Sequence, residues 1–128
     1  MIAFDTNHLL RHILQDDPKQ CAHVASLVRN AASANEQIHL FDLVLMETCW
    51  VLQSLMRFDR ETWVRVLNEL LEDPVFAFDN SARLWKTVER YSVGKADFDD
   101  YLILSYSQSI GAKLETFDKK LKKEIFRK

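Results

Sequence analysis

Apolar residues follow two rhythms along this chain: short unbroken runs, and longer stretches repeating every three to four positions. The short runs read as strands and the longer ones as helices. Ile2-Ala3-Phe4 is a strand ending at Asp5. Leu9, Leu10, Ile13 and Leu14 then recur at helical spacing until Asp16-Asp17-Pro18 closes the helix. Pro18 suits the first turn of a second helix, which carries Val24, Leu27 and Val28. A second strand is expected over Ile38–Phe41, then a strongly apolar helix over residues 43–57 through Leu45, Met46, Cys49, Trp50, Leu52 and Met56. Arg60–Leu71 forms the next helix, with Trp63, Val66, Leu67 and Leu70 inward, and Asp73-Pro74 breaks it. Val75–Phe78 is a third strand. Asn80 or Ser81 can cap a helix packing through Leu84, Val88 and Tyr91. Gly94 marks a turn, and a helix from about Phe98 to Ile110 ends at Gly111. Lys113–Thr116 is expected as a fourth strand, followed by Asp118 and a short helix.

Strands alternating with helices predict one α/β domain over residues 1–128, its parallel sheet covered on both faces. Such sheets bind ligands beyond the carboxyl ends of their strands. Asp5 ends the first strand and Asp118 follows the fourth. Glu47 lies one turn into the helix after the second strand, and Asp100 one turn into the helix before the fourth. All four carboxylates can therefore reach the same edge. There they would repel at about 4 kcal/mol per contact pair at an effective dielectric near 20. A hard divalent cation with oxygen ligands is the natural compensation.

Each acid also has a plainer reading. Asp5, Asp97 and Asp118 each precede a helix and can cap it, Asp97 with Asp100 as an acidic capping box. Neutralising Asp5 would cost a little stability if it only caps, and would gain stability if it sits among repelling carboxylates. Glu47 lies in a nearly continuous apolar helix, where a buried carboxylate needs a partner such as Arg11 or Arg83. Asp97 and Asp100 share a helix face, whereas Asp99 is expected to point elsewhere, into solvent. Thr6, Asn7 and Thr116 stand beside the proposed ligands and could orient carboxylates or water, or simply serve turns and caps.

Composition narrows the field. Over 128 residues, hydrophobic content is 48% and charged content 28%, as in an ordinary soluble domain. Two glycines and two prolines argue against linkers and turn-rich all-β folds. No signal peptide or membrane-spanning run is visible, so a cytoplasmic location is expected. Cys21 and Cys49 read as free thiols. Net charge is −2 and the pI about 6.1, yet Lys113, Lys119, Lys120, Lys122, Lys123, Arg127 and Lys128 crowd one end. These form either a solvated tail or a phosphate-contacting patch. His8 and His12 lack the glutamate of a zinc-protease helix, and no Gly-rich phosphate loop or Ser-centred elbow is present. Asn7 after Asp5 breaks the DxD arrangement of one phosphatase class. Phe4, Phe41, Phe76, Phe78, Trp50, Trp63 and Trp85 are expected in the core.

Taken together, Asp5-Thr6-Asn7 after a strand, the helix Leu43-Val44-Leu45-Met46-Glu47, the run Ala96-Asp97-Phe98-Asp99-Asp100-Tyr101-Leu102-Ile103, and Leu114-Glu115-Thr116-Phe117-Asp118 resemble a PIN domain. The likeness is closest to the VapC-type ribonuclease toxins of toxin–antitoxin pairs. It spans nearly the whole chain and rests on the ordered set of acids. The resemblance implies a three-layer α/β/α sandwich around a parallel sheet, usually a homodimer. It implies a Mg²⁺- or Mn²⁺-dependent endoribonuclease whose metal-binding acids are Asp5, Glu47, Asp100 and Asp118, with Asp97 as an additional acid. Thr116 takes the small hydroxyl position two residues before the last acid. The implied partners are an RNA substrate and a small antitoxin. A catalytically silent PIN module that binds a protein or RNA is the alternative. Asp42, where such chains often carry Ser or Thr, and Asp99, between two expected acids, depart from the pattern.

Overall fold

The computed structural model describes residues 1–126; Arg127 and Lys128, the end of the expected basic patch, lie outside the described residues. The architecture is α/β, with a three-stranded parallel sheet and seven helices among the described residues. The chain groups into two compact units, Met1–Ser81 and the residues from Ala82 onward.

The first unit holds the sheet. Strands β1 (Ile2–Ala3), β2 (Ile38–Leu40) and β3 (Phe76–Phe78) lie in that order, Ile2 opposite Ile38 and Ile38 opposite Phe76. Helices α1 (Thr6–Leu14) and α2 (Pro18–Ser33) connect β1 to β2, and α3 (Asp42–Leu55) and α4 (Arg60–Glu72) connect β2 to β3. Parallel neighbours require such long crossovers. Aspartates start three of these helices: Asp5, Asp17 and Asp59 accept the backbone N–H groups of His8, Gln20 and Thr62. Pro18 occupies the first turn of α2 as expected. The core is built from Leu9, Leu10, Ile38, Leu40, Leu45, Leu52, Trp63 and Leu67, all buried.

Helix α3 corrects two expectations. Its buried stripe is Val44, Leu45, Thr48, Cys49 and Leu52, which leaves Leu43, Glu47 and Trp50 on the exposed face. Trp50 is 64% exposed, and Phe41 and Trp85 are exposed too, so these three aromatics are not core. A helix apolar around most of its circumference gives no periodicity from which to choose its inner face. Glu47 is consequently solvated and needs no buried partner. Arg11 instead bonds Asp16 and Gln20, and Arg83 lies 4.2 Å from the centroid of the Tyr106 ring.

The second unit is helical: α5 (Ser81–Val93, opening at the unit boundary), α6 (Phe98–Ser109) and α7 (Lys119–Ile125). Lys113–Thr116, expected as a fourth strand, is irregular. Leu114 is the only large apolar residue in that run, too little to hold a strand by burial. Tyr91 packs edge-on against Phe98 and Tyr101, with ring centroids 5.5 and 6.1 Å apart. Gly94 is required by close approach, since a Cβ there would stand 1.6 Å from the Tyr101 hydroxyl. Gly111 ends α6 with φ 69°, a left-handed conformation that glycine adopts freely. No helix among the described residues is long and apolar enough to cross a membrane.

Candidate metal centre

In the second unit, buried Ala96 and Phe98 anchor the start of α6 and leave the aspartates between and after them at the surface. The Asp97 N–H donates to Asp100 Oδ2 at 3.2 Å, the returning half of an acidic capping box. The Asp100 N–H donates to Asp99 Oδ1 at 2.9 Å. Oxygens of Asp97, Asp99 and Asp100 lie within 4.8 Å of one another. Asp99 is exposed, as expected, and lies outside the depression's lining, but its short side chain folds back onto the first turn of its own helix and joins the cluster.

Asp118 belongs to the same surroundings. It lines a depression of about 260 Å³ with Asp97, Asp100, Lys119 and Lys120. Its Oδ1 accepts the Leu121 N–H at 2.9 Å and so caps α7, while its own N–H donates to Thr116 Oγ1 at 3.1 Å. Thr116 thus fixes the backbone that presents Asp118, the orienting role considered for it. Burial raises the pKa of Asp100, the Asp97 N–H partly opposes that shift, and the carboxylates of Asp99, Asp118 and Asp97 add to it. The three carboxylates that line the depression, with Asp99 beside two of them, offer only hard oxygen donors, the set that suits Mg²⁺ or Mn²⁺ and not a thiolate-seeking metal.

The first unit carries Asp5 and Glu47. Asp5 Oδ1 accepts from the His8 N–H at 2.9 Å and lies 2.9 Å from His8 Nδ1. The backbone bond from His8, followed by the one from its ring, holds the Asp5 carboxyl below its ordinary pKa. Repulsion among acids would have raised it, so His8 decides the charge state here. Thr6 opens α1, and Asn7 lines a groove with Asp5. Glu47 is exposed on the outer face of α3.

A third carboxylate here went unremarked in the sequence. Asp79, just after β3, accepts the Asp42 N–H through Oδ2 at 2.9 Å and meets His39 Nε2 through Oδ1 at 2.7 Å. Phe41, the residue before α3, has no side-chain cap to offer, so Asp79 caps that helix from across the sheet. Asp42 itself is 4% exposed at the first position of α3, where a negative charge favours the helix dipole. The signal for Asp79 was present: it follows an apolar strand just as Asp5 does.

The chain matches the family model of the PIN domain over residues 2–124. Neither the comparison with curated proteins nor that with solved structures gives a match.

Proposed function

The chain belongs to the PIN-domain family, whose members are generally nucleases and usually bind divalent metals, and we propose that it is a Mg²⁺- or Mn²⁺-dependent endoribonuclease. The observation that carries this reading is the group of Asp97, Asp99 and Asp100 oxygens within 4.8 Å, with Asp118 lining the same depression. Asp97, Asp100 and Asp118 hold the cation in this reading, and Asp5 and Glu47 take the family's remaining acidic positions. Held by these residues, a divalent cation would supply polarisation of the scissile phosphate and a bound water of lowered pKa. The residues themselves do the rest. Asp118 is presented by Thr116 and its own helix cap, Asp5 is kept ionised by His8, and Asp100 is held at a raised pKa until a cation relieves it.

The test is RNA cleavage by the purified protein. Cleavage should require Mg²⁺ or Mn²⁺ and stop in excess chelator; cleavage that persists undiminished there overturns the reading.

We further infer a toxin role with a small antitoxin as partner, and assembly as a homodimer. Exposed apolar side chains support contact with other chains: Leu43 and Trp50 on α3, Ile103 on α6 and Ile110 just after it. Expression of the chain alone should slow growth, and co-expression of an adjacent small gene should relieve it. Normal growth at high levels of soluble, metal-loaded protein removes the toxin role and leaves nuclease activity standing.

A silent binding module is the second reading, favoured by the fact that Asp5, Asp97 and Asp118 all occupy helix N-caps. It predicts that wild-type protein shows no metal-dependent cleavage and no metal-induced thermal shift.

A further inference from the structure

Helices α1 and α2 enclose a groove of about 530 Å³ whose lining includes Asp5, His8, Arg11, Lys19, Gln20 and His23. We propose that this groove seats a backbone phosphate of the RNA strand, with Lys19 and Arg11 as its positioning cations. The proposal rests on the nuclease reading, in which Asp5, at the groove's lining, takes one of the family's acidic positions.

Three observations support it. Arg11 is held in place from two sides: its Nε donates to Gln20 Oε1 at 2.7 Å and its Nη1 to Asp16 at 2.5 Å. Two of its five N–H groups are thereby committed, and three remain for an anion. Lys19 stands at the second position of α2, where the positive end of the helix dipole disfavours a cation, and no ion pair holds it among the described residues. Its charge therefore gains nothing from the helix dipole, and with Pro18 lacking an N–H and Asp17 taking that of Gln20, the ammonium is the group left to meet a phosphate. The His8 and His23 rings lie 6.0 Å apart at 70°, so the two helices present polar nitrogens toward the same space. A polyatomic anion such as a phosphodiester suits that volume, and Asp5 opposes one until a cation offsets its charge.

The experiment uses Lys19→Ala and Lys19→Arg in the full chain. Single-stranded RNA binding is followed by anisotropy across a salt series with Ca²⁺ in place of the catalytic cation, and cleavage kinetics are measured in Mn²⁺. Lys19→Ala should lower the slope of log affinity against log salt by about 0.7, the value of one phosphate contact on a single strand. It should raise KM several-fold with little change in kcat, and Lys19→Arg should restore both. A structural lysine would show the opposite in a thermal melt: its loss should lower Tm, whereas Lys19→Ala should keep or raise it. A Lys19→Ala protein that cleaves RNA with wild-type KM and salt slope overturns the groove and leaves the nuclease reading intact. A wild type that cleaves nothing yet binds RNA with a Lys19-dependent slope overturns the nuclease reading and upholds the groove. A wild type that neither cleaves nor binds RNA overturns both.

Discussion

Asp5 and Asp100 carry the same charge in opposite surroundings, and that contrast is measurable. Asp5 has a lowered pKa, so its contribution to stability is present above the unfolded aspartate value and is lost as pH falls through the folded one. Asp100 has a raised pKa, so the folded state binds its proton more tightly than the unfolded state and stability falls as pH rises between the two values. At pH 7 without metal, Asp5→Asn should lower Tm slightly: Asn keeps the cap, and about 0.3–1 kcal/mol of dipole interaction is lost. Asp100→Asn should raise Tm by a few degrees under the same conditions. The Asp100 difference should fade as pH falls towards about 3.9, the unfolded aspartate value, and the Asp5 difference only as pH falls below it. Both variants should lose cleavage by more than the roughly 10–100-fold that follows loss of a ligand's supporting partner. An Asp100→Asn protein that melts below wild type in chelator would show that its capping bond outweighs its repulsion. Gly94 offers an independent residue-scale test. A Cβ there meets the buried Tyr101 hydroxyl at 1.6 Å and the Arg90 carbonyl oxygen at 2.9 Å, so neither neighbour can yield without repacking. Gly94→Ala should cost about 1–3 kcal/mol by urea denaturation.

Helix α1 brings a titrating group against the sheet. His12 sits edge-on to Phe76, with ring centroids 5.2 Å apart, and burial lowers its pKa despite the opposing charge of Asp73. Its neutral form suits the fold, so stability should be full above the unfolded histidine value near 6.5 and should fall as pH drops through it. The Tm loss between pH 7.5 and 5.5 should shrink in His12→Gln; an unchanged loss would assign the effect to other groups. Helix α3 depends on an acid outside itself. Asp79→Ala removes its N-terminal acceptor and the partner of His39, and should cost about 1–2 kcal/mol in a denaturant titration. At this scale the sequence was legible wherever one periodicity ruled. The three strands, the Asp and Pro helix starts, and Gly111 as a stop were all readable, because each depends on local chemistry. Glu47 and Trp50 were misplaced because α3 is apolar on several faces and only packing selects the inner one. Lys113–Thr116 carries a single large apolar residue, Leu114, too little apolar surface to be held in a sheet. Asp97 and Asp100 could be paired from their spacing, but the turn of Asp99 back onto its own helix is a rotamer choice that spacing does not encode. Asp79 follows an apolar strand as Asp5 does, but its partners stand 40 and 37 positions away, so local spacing shows its place and not its bonds.

For the whole molecule, metal should act as a folding ligand as well as a cofactor. Wild type should gain about 2.7 kcal/mol at cation concentrations near a hundred times Kd, and Asp100→Asn much less. Thermal melts with and without Mn²⁺ would show it; equal shifts in the two proteins would remove Asp100 from the site. The bonds of Asp79 have one more consequence, in time. They close only after β2 and β3 have met, and parallel strands must first bring together segments separated by two helices. Interactions formed after the rate-limiting barrier govern how fast a protein comes apart, with little influence on how fast it assembles. Asp79→Ala should therefore unfold several-fold faster while refolding at nearly the wild-type rate, so the carboxylate acts as a latch on the native state's lifetime. Stopped-flow chevrons would measure both arms; a refolding arm slowed as much as the unfolding arm is accelerated would place the latch before the barrier.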